Sequence, residues 1–157
     1  MIRNYAGKEL LKGDKSIFLF GIKRNGKYET SWMEDACELL EAKGFPGIVY
    51  IPSGKVEDRE WEAEAMANSS IMVCWVQKDA QTDKNWAMPY DFGKMFETGK
   101  VIYGRSLGID MSRHIDWLYE ADYNTKAKDS LNELIDQAIE TTKDIKGKVN
   151  LINKNVY

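Results

Sequence analysis

A chain of 157 residues with 43% hydrophobic and 30% charged side chains has the size and make-up of one globular domain, with core enough to need no metal or disulfide. A net charge of −3 and scattered basic residues give no electrostatic ground for binding duplex nucleic acid or an anionic membrane. No apolar run is long enough to span a bilayer, and the first fifteen residues hold no signal-peptide stretch, so a reducing cytoplasm is the expected setting.

In chain order, Ser16–Gly21 (SIFLFG) reads as a buried strand ending in glycine. A polar loop follows, punctuated by Asn25-Gly26 and carrying Lys23, Arg24 and Lys27. Ser31 and Glu34 have capping-box spacing and predict the start of a helix with Trp32, Ala36, Leu39 and Leu40 as its apolar stripe and Gly44 as its stop. Gly47–Ile51 reads as a second strand closed by Pro52. A helix from about Asp58 to Asn68 turns Trp61, Ala65 and Met66 to one side. Ile71–Val76 has the continuous apolar character of a strand covered on both faces. A polar loop from Gln77 to Pro89 leads to a short helix near Asp91–Thr98, ended by Gly99.

Val101–Tyr103 reads as a fourth strand, and Ser112–Glu120 as a helix with Ile115 and Leu118 on one face. Ser130 and Glu133 form a second capping box ahead of a helix whose inner face is Leu131, Leu134, Ile135, Ala138 and Ile139. The tail from Lys148 to Tyr157 carries no assignable pattern. Strands alternating with helices imply right-handed crossovers and a mostly parallel, doubly wound α/β sheet of four to five strands, of the flavodoxin or Rossmann type. Residues 1–157 then form one domain, with its core at about 16–140.

Ligands of such sheets bind beyond the carboxyl ends of the strands. That directs attention to Gly21–Tyr28, Pro52–Glu62, Gln77–Asp91 and Gly104–Met111. Two acids fall at the edges of these segments. Asp91, after the aromatic-rich stretch Asn85–Tyr90, stands where a first-turn carboxylate meets the positive end of a helix dipole, as a cap or as a reactive group. Glu62 lies among Glu60 and Glu64 beside Trp61, on a solvated acidic face or turned inward. Trp32, Trp61, Trp75 and Trp86 suit a core, or stacking on a base. Cys37 and Cys74 show neither a metal spacing nor a redox pair and read as buried thiols. His114 alone cannot anchor a metal cluster and is expected on a helix surface, so no metal and no cofactor are expected. No phosphate-loop or Ser-His-Asp signature is present.

The succession SIFLFG, SWMEDACELLEAKG, REWEAEAMANSSIMVCWV and PYDFGKMFETGKVIYG resembles the nucleoside 2-deoxyribosyltransferase-like family. Asp91-Phe92-Gly93 is similar to that family's Glu-Leu-Gly helix start, and Gly99-Lys100 falls at the offset of its Gly-Lys. The resemblance covers about residues 16–140 and implies cleavage or exchange of an N-glycosidic bond. Carried over, Asp91 attacks C1′ of a (deoxy)nucleoside or nucleotide, and Glu62 handles the proton on the base. Phe18, Phe20, Gly21, Asn85 and Met88 contact sugar or base. Tyr157 matches an aromatic C-terminus that reaches the site of a neighbouring subunit, which implies a homo-oligomer. Three positions depart from the pattern: Asp91 stands for Glu, Asn85 for Asp and Ser70 for Asp. Those departures point to a shifted substrate, or to a member that binds a nucleotide or ADP-ribose-like metabolite without turnover. An NAD glycohydrolase is a further variant of the same chemistry.

Overall fold

The computed structural model describes residues 1–21, 23–24, 27–28, 30–77, 88–107 and 112–152; at 23–24, 27–28, 88–91 and 112–114 it describes the backbone. Five strands form one parallel sheet: β1 (Ile2–Tyr5), β2 (Ser16–Phe20), β5 (Ile48–Ile51), β6 (Ile71–Val76) and β7 (Val101–Arg105). Their order is β1-β5-β2-β6-β7. A short antiparallel pair, β3 (Lys23–Arg24) and β4 (Lys27–Tyr28), stands apart from it.

The helices are α1 (Met33–Ala42), α2 (Arg59–Asn68), α3 (Met88–Phe96), α4 (Ser112–Tyr123) and α5 (Leu131–Thr142). The expected doubly wound α/β fold is therefore present. Helix α1 packs on α5 at one face of the sheet, and α3 packs on α4. The chain leaves β2 toward β5 through α1, and leaves β6 toward β7 through α3, so the winding direction reverses between β2 and β6. That reversal marks the crevice where ligands of such sheets bind.

Burial on both sides explains the unbroken apolar strands. All five residues of β2, four of β5 and six of β6 are buried. Phe18, Tyr50 and Met72 stand in register across the sheet, as do Phe20, Cys74 and Tyr103. Cys37 and Cys74 are buried free thiols, as the composition suggested, and burial pushes both up from the ordinary thiol range, Cys37 to about 11.

Several boundaries differ from the sequence reading. Strand β1 lies at the sheet edge in the segment that carried no strand pattern, held by register with Ile48–Ile51 of β5. Helix α1 begins at Met33, with Trp32 and not Ser31 at its cap. Arg3 of β1 takes the Glu34 carboxylate and also Glu41 at 3.0 Å. The other end of α1 is as expected. Gly44, at φ +78°, lets Phe45 N–H reach Leu40 O at 2.9 Å and Gly44 N–H reach Glu41 O at 3.0 Å, a Schellman closure. Helix α3 starts at Met88, three residues before Asp91, because Pro89 falls in the first turn, where no N–H is needed. The Ser130 box is formed: its hydroxyl accepts from Glu133 N–H at 3.2 Å.

Part of the tail is ordered by hydrogen bonds rather than by periodicity. Gly147 N–H donates to Asp14 O at 2.9 Å, Val149 N–H to Ser70 O at 3.3 Å, and Leu151 N–H to Gly99 O. The strap runs across the amino ends of β2, β6 and β7, the edge opposite the crevice.

Candidate active site at the carboxyl edge

Glu62 is the best-defined site residue. Helix α2 starts at the carboxyl edge behind a 3-10 turn, Val56–Asp58. Its fourth residue, Glu62, is 6% exposed, while Glu60 and Glu64 face solvent, which separates it from the acidic face. Oε1 of Glu62 accepts from the backbone N–H of Ser53 at 2.9 Å and of Gly54 at 2.8 Å. Both donors belong to the loop that follows β5. Ser53 Oγ also donates to Asp58 Oδ2 at 2.5 Å and accepts from Lys55 N–H at 3.1 Å. Gly54, at φ +73°, takes the left-handed turn that this loop requires. The carboxylate thus fixes the edge of the crevice.

Asp91 is the fourth residue of α3, the helix entered from the carboxyl end of β6. Its side chain lies outside those described, as does that of Met88. The next residue, Phe92, is buried against Phe20 at the end of β2, ring centroids 6.1 Å apart. The backbone of Asp91 is thereby held beside the β2–β6 reversal. Phe18 and Phe20 are core side chains on the sheet face that carries Tyr50, Cys74 and Tyr103, and Gly21 is buried at the strand end. Phe18 belongs to the packing beneath the site. Asn85, Trp86 and Tyr157 lie outside the described residues, and so does the side chain of His114.

A cleft of about 300 Å³ opens at the same edge, on the β1 side, lined by Tyr5, Thr30, Met33, Glu34, Ile51, Pro52 and Ser53. It shares Ser53 with the loop that Glu62 holds. Sequence reasoning missed it because Tyr5 belongs to the unrecognised edge strand. Among the described residues no cluster of His, Cys, Asp and Glu could hold a metal ion, and no helix is long and apolar enough to cross a membrane.

Ser70 and Lys100 lie at the opposite edge. Ser70 is buried at the start of β6, where its hydroxyl accepts from Ser16 N–H and its own N–H donates to Ser16 Oγ, both at 3.1 Å. Lys100, just before β7, buries its ammonium at the carboxyl terminus of α2, donating to Met66 O at 2.5 Å, Ser69 O at 2.9 Å and Ser69 Oγ at 3.3 Å. A six-residue strand such as β6 separates the two edges by about 20 Å. Ser70 therefore belongs to the packing of the amino edge and not to the crevice.

The chain matches no protein-family model and no curated protein.

Proposed function

We propose that this protein cleaves or exchanges the N-glycosidic bond of a (deoxy)nucleoside or nucleotide, with Asp91 as nucleophile and Glu62 as the proton donor to the base. The Asp91 carboxylate attacks C1′, the C1′–N bond breaks, and the base leaves with a proton supplied through Oε2 of Glu62. A glycosyl ester forms on Asp91. Water or a second base then gives its proton to Oε2 of Glu62, attacks C1′, breaks the ester and returns the carboxylate. The observation that carries the reading is the selective burial of Glu62 at the carboxyl edge, next to the strand-order reversal that α3 enters with Asp91 in its first turns.

A second reading has one observation in its favour. The two loop donors on Oε1 account for the burial of Glu62 without any chemistry. On that reading the crevice binds a nucleotide or ADP-ribose-like metabolite and turns nothing over. Incubation with deoxynucleosides, their 5′-monophosphates and NAD, with and without a free second base, separates the two by liquid chromatography. Base release or exchange that vanishes in Asp91→Ala supports the enzyme, and release from NAD identifies the glycohydrolase variant. Thermal stabilisation by one ligand without turnover supports the binding module. Turnover that survives in Asp91→Ala removes Asp91 from the mechanism.

Assembly belongs to the same proposal. The strap reaches Ile152 along the amino edge. By the resemblance, Tyr157 serves the site of a neighbouring subunit. Deletion of residues 153–157 is expected to weaken ligand binding and to lower the oligomer mass read by light scattering. Unchanged affinity and mass count against the oligomer.

A further inference from the structure

We infer that the indole N–H of Trp32 is a ligand donor, which meets the carbonyl oxygen or ring nitrogen of a heterocyclic base entering the crevice beyond β2 and β6. Trp32 is 1% exposed, yet among the described residues its Nε1 has no hydrogen-bond partner. Two other indoles are paired: Trp61 Nε1 donates to Lys8 O at 2.9 Å, and Trp75 Nε1 to Gln77 Oε1 at 2.5 Å. Burying a donor without an acceptor costs the desolvation of that group, and such groups call for a specific reason. A ligand acceptor supplies one.

The position of Trp32 agrees with this. Its backbone is already helical, φ −82° and ψ −16°, so its side chain follows the turn of α1. Glu34 and Glu41 lie on the flank of α1 that meets Arg3 of β1. Lys43 lies on the opposite flank and reaches Asp136 of α5 at 2.6 Å. Eleven residues separate Trp32 from Lys43, about three helical turns, so both share that flank. Trp32 is thus on the side of α1 away from β1, the side of β2 and β6. It stands where α1 leaves the carboxyl edge.

The inference rests on the nucleoside reading of the site and deepens it, because an uncharged donor matches an uncharged acceptor on a base edge. The test replaces Trp32 site-specifically with benzothienylalanine, in which sulfur stands for N–H at nearly constant volume. Thermal unfolding of the free protein and calorimetric titration with deoxyinosine and deoxyuridine are then compared with wild type. The expected result is an unchanged or higher midpoint of unfolding, together with a dissociation constant raised about 5–10-fold, the worth of one neutral hydrogen bond. A lowered midpoint shows that the donor is already paired in the free protein and overturns the inference. An unchanged midpoint with unchanged affinity overturns it while leaving the nucleoside reading intact. If wild type binds neither nucleoside, the inference falls, and the nucleoside reading falls with it only if the 5′-monophosphates and NAD also fail to bind or turn over.

Discussion

Phe20, the last residue of β2, packs on Phe92 of α3 with ring centroids 6.1 Å apart and planes inclined at 45°. Phe92 also meets Phe96 at 5.8 Å and Tyr103 at 6.2 Å, so the turn that carries Asp91 is seated on an aromatic cluster. Phe92→Ala empties a site that is 3% exposed. It is expected to cost about 3–5 kcal/mol in urea unfolding. Phe92→Leu is expected to keep most of that stability. A loss below 1 kcal/mol for Phe92→Ala means that α3 is not anchored by this contact.

Glu62 offers a way to divide anchoring from chemistry. Glu62→Ala strands the N–H groups of Ser53 and Gly54 and is expected to destabilise by about 2–4 kcal/mol. Glu62→Gln retains an oxygen acceptor for both donors and is expected to lose about 1 kcal/mol or less of stability. Turnover of a deoxynucleoside should nonetheless fall by about 100-fold or more, because the amide cannot pass a proton to the leaving base. Glu62→Gln that turns over at the wild-type rate leaves Glu62 as a loop anchor alone.

Ser70 gives the complementary case at the far edge. Ser70→Ala removes the Oγ that accepts from Ser16 N–H, and about 1–2 kcal/mol of stability should go with it. The rate per folded molecule should not change, since the crevice lies a strand length away. A selective fall in rate, with thermal stability intact, would contradict that separation.

The parallel sheet was legible because β2, β5 and β6 are buried on both faces and therefore apolar throughout. Strand β1 was not. Its pattern Ile-Arg-Asn-Tyr buries one residue, Asn4, whose amide is consumed by Glu9 O and Leu11 N–H. The onset of α1 was misplaced because the Ser31–Glu34 spacing satisfies the capping rule locally, while Arg3, distant in sequence, claims Glu34. The strap over the amino edge has no periodicity to read, since its bonds go to loop carbonyls of Asp14, Ser70 and Gly99. Glu62 lies at the carboxyl edge that the strand–helix alternation singles out, but its burial, in contrast to exposed Glu60 and Glu64, has no signature in the local pattern. The buried position of Lys100 was equally hidden, because its acceptors are backbone oxygens of a helix end more than thirty residues earlier.

Lys100 gives a pH signature of its own. Burial, with Lys148 nearby, pulls its ammonium down from 10.5 to about 8. Between those values the unfolded chain holds the proton that the folded chain has released, so this group's contribution to stability rises as pH increases from about 8 to about 10.5. The tyrosines act in the opposite sense. Burial raises Tyr103 and Tyr119, and Tyr123 to about 12, so stability tied to their neutral phenols is complete below pH 10 and falls as pH climbs above it, through about 12 for Tyr123. Comparison with Lys100→Met cancels the tyrosine contribution, which both proteins share. The variant strands the α2 carbonyls and is expected to be less stable than wild type throughout. The gap between the two should widen from pH 8 to pH 10.5, as wild type gains what the variant cannot. A gap that stays flat or narrows across that window, measured by denaturant unfolding at each pH, means that the ammonium keeps its proton on the carbonyls of α2.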